Sequence, residues 1–421
     1  MSPARAGVAG STRSATEPPP EETVSARIPR VPGFSASGVP CGIKDSGRDL
    51  ALIVSDRPAV TAGVFTRSTV VGAPVELCRA RIRRGHGRAV VANSGISNVA
   101  MGARGRRDAD AMAAAAGRAV GVAPGEVLVA STGVIGEPLP MSKIRRGVRT
   151  AAEALRPGGL GDAARAIMTT DTVPKLAVRR VRIGAREVVL AGIAKGSGMV
   201  EPDMATMLGF VLTDAPVQRS FLQRSLREAA DASFNRLSVD GEGSTSDTLL
   251  LLANGAAGGA PLRGSTSPGA RAFRNGLREV CEELARALAR DGEGATKLVT
   301  VRVEGARSGA EAERAARRIA NSMLVKTALF GGDANWGRIL QTVGAGRSAL
   351  RLGRTEVVLG GVTVFRHGAS TGPAARRRAA ARLRRDEIEI LVKLGAGRGR
   401  ARLWTCDLSY DYVRINAEYT T

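Results

Sequence analysis

Short apolar segments typical of β-strands alternate with longer amphipathic segments typical of α-helices along most of this chain. The strand-type segments are residues 49–54, 88–92, 127–130, 177–183, 186–193, 207–212, 248–253 and 297–304. The helix-type segments are residues 107–120, 142–155, 217–234, 270–291, 310–320 and 374–385. Because sheets and helices must bury their apolar faces against each other, this alternation predicts a layered α/β fold.

The first 28 residues differ from the rest of the chain. Residues 17–22 read EPPPEE and show no hydrophobic periodicity, so residues 1–28 are predicted to form a disordered tail. No apolar core of a secretory signal occurs before Ser25, and a cytoplasmic location is therefore expected.

The chain is strongly basic. It has 62 Lys and Arg against 39 Asp and Glu, a formal net charge of +23. Such a balance would suit a nucleic-acid partner, but only 3% of the residues are aromatic, which leaves few rings for base stacking. A solvated basic surface is the preferred interpretation. The prediction is therefore that the protein has neither a nucleic-acid nor a membrane partner. Nucleic-acid binding is the competing hypothesis, which the net charge alone motivates.

The chain has few histidines and cysteines. His86 and His367 are its two histidines, which disfavours a His-rich metal site or a Ser-His-Asp triad. None of the four cysteines belongs to a C-x-x-C pair, so a zinc ribbon is not expected. These cysteines are Cys41, Cys78, Cys281 and Cys406.

A nucleophile can be activated without histidine when chain cleavage places it at a new N-terminus. The α-amino group, with a pKa of about 7.7–8.0, then accepts its proton. Residues 195–208 read KGSGMVEPDMATML, a glycine-rich loop that leads directly into an apolar strand. Thr206 lies at the junction, after the small Ala205. Thr206 is therefore a candidate nucleophile, and an ordinary loop with a strand-starting threonine is the alternative.

This segment resembles the signature of the ornithine acetyltransferase (glutamate N-acetyltransferase) family. Further resemblances follow in the family's order over nearly the whole chain beyond the tail, which makes the likeness far more specific than one short pattern. They are residues 38–44 (GVPCGIK), 51–58 (ALIVSDRP), 93–95 (NSG), 131–136 (STGVIG), 168–172 (MTTDT), 239–241 (VDG), 291–297 (DGEGATK), 333–338 (DANWGR) and 411–419 (DYVRINAEY).

The resemblance implies a layered α/β sandwich similar to the DmpA group, with an N-terminal-nucleophile site. It implies self-cleavage between Ala205 and Thr206, which separates an α chain (residues 29–205 beyond the tail) from a β chain (206–421). The two chains are expected to stay associated as an α2β2 heterotetramer. No metal or organic cofactor is implied, and acetyl-CoA is an optional co-substrate.

The implied reaction moves an acetyl group from N-acetyl-L-ornithine to L-glutamate through an acetyl-Thr206 intermediate. This is ping-pong chemistry, and it belongs to arginine biosynthesis or a related specialised pathway. A self-processed amidohydrolase or aminopeptidase, which would use the same Thr206 with water as the acceptor, is the alternative.

The resemblance also implies roles for residues outside the cleavage segment. The Thr132 hydroxyl and the Gly133 N–H match the family's oxyanion hole. The Lys195 ammonium suits a substrate carboxylate, and Glu293 suits a substrate ammonium. The matching substrate-binding positions are Thr172 (chosen over Thr170 by spacing), Lys195, Thr206, Glu293, Asn416 and Thr421.

Three segments depart from the family pattern without removing a proposed catalytic group. Residues 95–98 read GISN rather than GNAN, and residues 241–244 read GEGS rather than GDTS. Glu201 and Asp203 place two acids before the expected cleavage point, where asparagine is usual at the second position. These departures bear on substrate preference.

Overall fold

The structure, a computed structural model, describes residues 30–201, 207–264 and 266–418. The predicted disordered tail lies outside the described residues. Within them, two mixed β-sheets are covered by helices, which confirms the layered α/β prediction.

Fourteen strands are present in the described part of the chain. Nine of them precede the C-terminal quarter of the chain, and five lie within it. They are β1 Phe34–Val39, β2 Leu50–Phe65, β3 His86–Ile96, β4 Val127–Val134, β5 Lys175–Ile183, β6 Arg186–Lys195, β7 Leu208–Thr213, β8 Thr248–Ala253, β9 Leu298–Ala306, β10 Glu356–Leu359, β11 Val362–Arg366, β12 Ala369–Ser370, β13 Glu387–Lys393 and β14 Gly399–Cys406.

Eleven α-helices connect or flank these strands in the same described ranges. They are α1 Ala73–Ile82, α2 Gly102–Val120, α3 Met141–Glu153, α4 Leu160–Ala166, α5 Arg219–Ala232, α6 Pro268–Arg290, α7 Gly309–Asn321, α8 Met323–Phe330, α9 Trp336–Ala345, α10 Pro373–Arg382 and α11 Tyr410–Glu418. Local chemistry accounts for the start of the longest one. Ser267 caps α6 by accepting the Ala270 N–H at 3.2 Å, and Pro268 occupies its first turn, where a missing N–H costs nothing.

The larger sheet has the strand order β4-β3-β2-β8-β7-β6-β5, with β1 paired to β2. Strands β7 and β8 are buried on both faces. Leu249 and Leu251 of β8 belong to one apolar core, and Leu250 and Leu252 belong to another. Because successive side chains point to opposite faces, a strand between two cores must be apolar throughout, which is why the residues of β8 read TLLLLA.

The larger sheet folds back on itself within β2. The register of β2 with β3 shifts between Val54 and Ala59, after which residues 60–65 pair with β8. Four strands separate β4 from β6 in the sheet order, so a flat sheet would hold them roughly 24 Å apart at about 4.8 Å per strand. The Lys195 Nζ of β6 instead lies 3.4 Å from the Thr132 Oγ1 of β4. The two halves of β2 therefore belong to two stacked layers.

The smaller sheet has the order β12-β11-β10-β13-β9-β14. It packs its own apolar core against α7 to α10. Trp404 and Cys406 of β14, together with Leu298 of β9, join the core beneath α5 and α6. These contacts attach the smaller sheet to the two larger layers.

The predicted strands and long helices correspond to observed elements, with three kinds of difference. The strand predicted at 49–54 continues to Phe65, because its bulge bends the chain without ending the ladder. Short elements were not predicted, among them β1, α4 and α9. The strands after residue 355 were also missed: β10 to β12 have at most five residues each, too few to establish a period, and β13 was overlooked although its residues alternate between exposed and buried.

Candidate active site

A cavity lies where the two layers of the larger sheet meet. The end of β4 forms one wall, and the end of β6 with the starts of β7 and β8 forms another. Its volume is about 80 Å³. Residues from seven separate parts of the chain contribute to its lining. They are Ser97, Thr132, Gly133, Ile135, Thr169, Thr170, Lys195, Gly198, Met199, Ser244, Thr245, Ser246, Glu293 and Asn416.

The chain also has a larger groove between α7 and α9, with a volume of about 640 Å³. It is lined by three arginines and by polar residues of the two helices, and it contains none of the site residues expected from the sequence. The smaller cavity is the better candidate, because it combines a buried ammonium, a buried carboxylate and several hydroxyls.

Thr132 and Gly133 lie near the end of β4, where it runs parallel to β3. Gly133 has φ +124°, and a Cβ there would lie 2.2 Å from the carbonyl carbon of Gly95 on β3. Only glycine fits so close a backbone approach. The Thr132 hydroxyl accepts a hydrogen bond from the Lys195 ammonium at 3.4 Å. The predicted oxyanion-hole pair therefore lines the cavity beside the predicted carboxylate-binding lysine.

Lys195 is the last residue of β6 and is 8% exposed. Burial lowers the pKa of its ammonium, and the nearby carboxylate of Asp171 opposes that change. The Nζ of Lys195 lies 4.0 Å from Asp171 Oδ2. A partly desolvated ammonium in a cavity is well suited to pair with a carboxylate ligand.

Glu293 and Asn416 meet in another part of the cavity lining. The Asn416 Nδ2 donates to Glu293 Oε2 at 2.7 Å, and the Glu293 N–H donates to the Ser197 carbonyl at 2.8 Å. Glu293 is 7% exposed. Helix α11 thus brings a residue near the end of the chain against the loop that follows β6.

Thr172 does not line the cavity. Its side chain is directed to Asp291, whose carboxylate accepts hydrogen bonds from both the Thr172 hydroxyl and its N–H. Thr170 lines the cavity instead, and its hydroxyl lies 2.7 Å from the Ser197 hydroxyl. Spacing within the segment MTTDT could not decide between these threonines, because their orientations depend on partners more than 20 residues away.

Ala205, Thr206 and Thr421 lie outside the described residues. The residue after Thr206 is described: the Met207 N–H donates to Asp247 Oδ1 at 2.7 Å. A small cavity of about 20 Å³ is lined by Met207, Asp247, Thr132 and Lys195, among others. The chain therefore re-enters the described structure beside the predicted oxyanion hole.

The loop before the expected cleavage point is held by Asp240. The N–H groups of Met199 and Val200 donate to its carboxylate at 2.6 and 2.9 Å. Met199 has φ +54°, an uncommon backbone conformation for a residue with a side chain. Glu201 has its own partners. Its Oε1 lies 3.0 Å from Arg317 Nη1, and its Oε2 accepts a hydrogen bond from the Asn321 Nδ2.

Sequence reasoning missed several residues of the site. Asp171, Lys175 and Asp291 form a buried ion network behind the cavity, and Asp247 holds Met207. Asp171 and Asp291 lie inside the motifs 168–172 and 291–297, but nothing local to those motifs distinguishes a buried acid from an exposed one.

Other reactive groups lie away from the cavity. All four cysteines are free and buried, and burial raises the pKa of Cys41, Cys78 and Cys281 to about 12 each. Over the ranges that the structure describes, no cluster of three or more His, Cys, Asp or Glu side chains could hold a metal ion. In the same ranges, no helix is both long and apolar enough to cross a membrane.

Known proteins resemble this chain over most of its length. The arginine biosynthesis bifunctional protein ArgJ of Symbiobacterium thermophilum is 49% identical over 396 residues, covering 92% of this chain and 97% of that protein. The protein of the same name from Bacillus subtilis is 44% identical over 390 residues, covering 92% of this chain and 95% of that protein. A crystal structure of the Bacillus halodurans ArgJ protein matches 51% of this chain and 100% of the solved chain, with 41% identity and a TM-score of 0.49.

The model of the ArgJ family matches residues 35–421. That range contains β1 from its second residue, the described elements from β2 to α11, and every site residue predicted from the sequence. The family resemblance read from the motifs is thereby confirmed, and this chain belongs to the ArgJ family.

Proposed function

We propose that this protein is a self-cleaving acetyltransferase of arginine biosynthesis. It transfers acetyl from N-acetyl-L-ornithine to L-glutamate and produces L-ornithine and N-acetyl-L-glutamate. The curated relatives named above support the pathway, because both are arginine biosynthesis bifunctional proteins.

One observation carries the assignment of chemistry. Two potential oxyanion donors, a buried ammonium and a buried carboxylate with its amide partner surround one cavity. Met207, the residue after Thr206, lines the adjoining small cavity together with Thr132 and Lys195. This arrangement supports Thr206 as the nucleophile, because it offers charge partners for both ends of an amino-acid substrate.

Self-cleavage in this proposal begins with attack of the Thr206 Oγ on the carbonyl carbon of Ala205. The C–N bond breaks, the nitrogen takes the hydroxyl proton, and an ester joins Ala205 to Thr206. Water hydrolyses the ester to an Ala205 carboxylate and a free Thr206 amine. That amine is the base for later turnovers.

In acetyl transfer, the Thr206 Oγ attacks the acetyl carbonyl of N-acetylornithine while the amine accepts its proton. The Thr132 hydroxyl and the Gly133 N–H stabilise the oxyanion, each such donor lowering a barrier by about 3–4 kcal/mol. The C–N bond breaks, the proton returns to the nitrogen, and ornithine leaves. The glutamate amine then attacks the ester carbonyl of acetyl-Thr206. The bond between the acetyl carbon and Oγ breaks, and Oγ takes up the proton that the amine loses, which restores the hydroxyl.

Sheet pairing supports the proposal that the two chains stay together. β6 of the α chain pairs with β7 of the β chain, from Lys195 opposite Leu208 to Leu190 opposite Thr213. β2 of the α chain also pairs with β8 of the β chain. Cleavage of one connecting peptide bond leaves these buried ladders and their cores in place. An α2β2 assembly of such pairs is part of the proposal and would be measured by light scattering.

Acetyl-CoA is included in the proposal as a second acetyl donor. The word bifunctional in the names of the curated relatives motivates it. Formation of N-acetylglutamate from acetyl-CoA and glutamate, without N-acetylornithine, tests this activity separately from the main one.

Intact-mass spectrometry of the wild-type protein beside Thr206→Ala tests the nucleophile. The wild type is expected to give two fragments, with the second starting at Thr206, and the variant is expected to stay a single chain. A single chain for both would remove the basis for the nucleophile assignment.

An assay of ornithine release with and without glutamate then separates transferase from hydrolase. Release that depends on glutamate supports acetyl transfer. Equal rates in its absence would mean that water is the acceptor.

A further inference from the structure

Three charged side chains are buried together behind the cavity. The Nζ of Lys175 lies 2.6 Å from Asp171 Oδ1 and 2.5 Å from Asp291 Oδ2. The side chains of Lys175 and Asp171 are 1% and 0% exposed. Buried charges are costly unless they are paired, and two carboxylates with one ammonium leave one negative charge over. The network therefore favours a second cation.

Lys195 supplies that cation and is the member of the group that reaches the cavity. Its Nζ lies 4.0 Å from Asp171 Oδ2, on the side away from Lys175, which contacts Oδ1. Asp171 does not line the cavity, whereas Lys195 does. Asp171 can thus act on a ligand only through Lys195 and the neighbouring backbone.

Asp171 also fixes the backbone on both sides of the cavity wall. Its Oδ1 accepts the Gly196 N–H at 2.7 Å, and its Oδ2 accepts the Thr169 N–H at 3.0 Å. Gly196 follows Lys195, and Thr169 lines the cavity. One buried carboxylate therefore holds the lysine's charge, the residue after it and the loop that faces it.

Charged groups reach Lys195 from several elements. Burial lowers the pKa of Lys195, and among the charges Asp171 opposes this most strongly, followed by Glu293 and Asp247. Lys175 acts in the same direction as burial. The ammonium of Lys44, from the loop after β1, also repels Lys195. Removal of Asp171 would leave Lys195 among two lysines and two more distant acids.

We propose that Asp171 is a positioning residue that keeps Lys195 protonated and directed into the cavity, where the ammonium receives the carboxylate of the amino-acid substrate. This inference rests on the proposed function for the identity of the ligand. It adds one residue, Asp171, to the groups that determine carboxylate recognition.

The test is the pH dependence of L-glutamate binding to Asp171→Asn, measured by calorimetry without an acetyl donor so that no turnover occurs. Affinity is expected to fall about tenfold at pH 7. Affinity is lost at alkaline pH when Lys195 deprotonates. This loss is expected to start about one pH unit lower than in the wild type, because the variant lacks the nearby negative charge that stabilises the ammonium. Ionisation of glutamate itself is the same for every variant.

Asp291→Asn is the matched control. It removes the same charge from the same lysine, Lys175, but Asp291 is not among the groups that act on Lys195. Its alkaline limb is expected to coincide with that of the wild type. The inference is overturned if the limb of Asp171→Asn does not move, or if both variants move it equally.

A second variant applies if Asp171→Asn does not fold. The double variant Lys175→Met, Asp291→Asn removes one buried cation and one buried anion together. Lys195 is then the remaining lysine paired with Asp171. Loss of the Lys175 repulsion is expected to move the alkaline limb to higher pH. A limb that stays in place or moves lower overturns the inference.

Acetyl-transfer assays on the same proteins separate the two claims. Glutamate binding with the expected shifts but no acetyl transfer by the wild type would overturn the proposed function and retain the role of Asp171. Transfer with an unmoved limb would overturn only that role. A wild type that neither binds glutamate nor transfers acetyl overturns both.

Discussion

Asp247 Oδ1 accepts a hydrogen bond from the Met207 N–H at 2.7 Å, and the Met207 carbonyl accepts the Thr248 N–H at 2.9 Å. The residue that follows Thr206 is therefore held on both sides by the start of β8. Asp247 is 3% exposed, and burial raises its pKa well above the usual range of a carboxyl group. The Asp247 carboxyl group therefore holds Met207 by a hydrogen bond and not by an ion pair.

The first prediction concerns self-cleavage and Asp247. Asp247→Ala is expected to slow cleavage at least about tenfold, because an unpaired buried N–H costs about 1–3 kcal/mol and frees Met207. Asp247→Asn can still accept the hydrogen bond and is expected to cleave close to the wild-type rate. The fraction of cut chain over time, followed by mass spectrometry, measures this; equal rates for Ala and wild type would contradict it.

The second prediction concerns the backbone of β4 at Gly133. Gly133→Ala is expected to lose about 3 kcal/mol or more of unfolding free energy, because φ is +124° and the new Cβ would meet the Gly95 carbonyl carbon at 2.2 Å. Gly136→Ala is the control: its φ is +85° but its Cβ would face open space, so a loss of about 1 kcal/mol is expected. Chemical denaturation compares them, and similar losses would refute the close-approach argument.

The third prediction concerns Glu293. Glu293→Gln keeps an acceptor for the Asn416 amide but removes the charge, so KM for N-acetylornithine is expected to rise about 10- to 100-fold. Self-cleavage is expected to proceed normally. Glu187→Gln, which alters an exposed acid paired with Arg180, serves as the charge control. An unchanged KM for Glu293→Gln would remove Glu293 from the binding site.

The fourth prediction concerns acid stability. Burial opposes ionisation of Asp171, but Lys195 and Lys175 outweigh it and lower its pKa to about 2. A folded-state pKa below the unfolded value of about 3.9 stabilises the protein above pH 4, and that contribution of about 2 kcal/mol is lost as pH falls towards 2.

Asp171→Asn is therefore expected to be about 3 kcal/mol less stable than the wild type at pH 7, since it removes the nearby carboxylate of buried Lys195 and leaves Lys175 with Asp291 alone. The difference is expected to shrink between pH 4 and pH 2. Urea unfolding at a series of pH values measures it. A difference that stays constant down to pH 2 would count against an ionised Asp171 in the folded protein.

Most of the layered architecture could be predicted from local patterns. β8 is buried on both faces and is therefore apolar at every position, whereas α6 is buried on one face and shows the helical period. Both patterns can be recognised in the sequence. The fold of β2 was not predictable. Its bend at 55–58 is stabilised by pairing with β8, almost 200 residues later.

The ordered motifs indicate the family without any structure. They also point to Thr132, Gly133, Lys195, Glu293 and Asn416, which the structure places around one cavity. The roles of these residues, and of Thr206, stay predictions. The contacts between segments show that Thr170 rather than Thr172 lines the cavity, and that Asp171 lies between the ammonium groups of Lys175 and Lys195. Most of these contacts join different segments, from 25 residues apart for Asp171 and Gly196 to 119 for Thr172 and Asp291, so no local pattern records their burial and pairing energy.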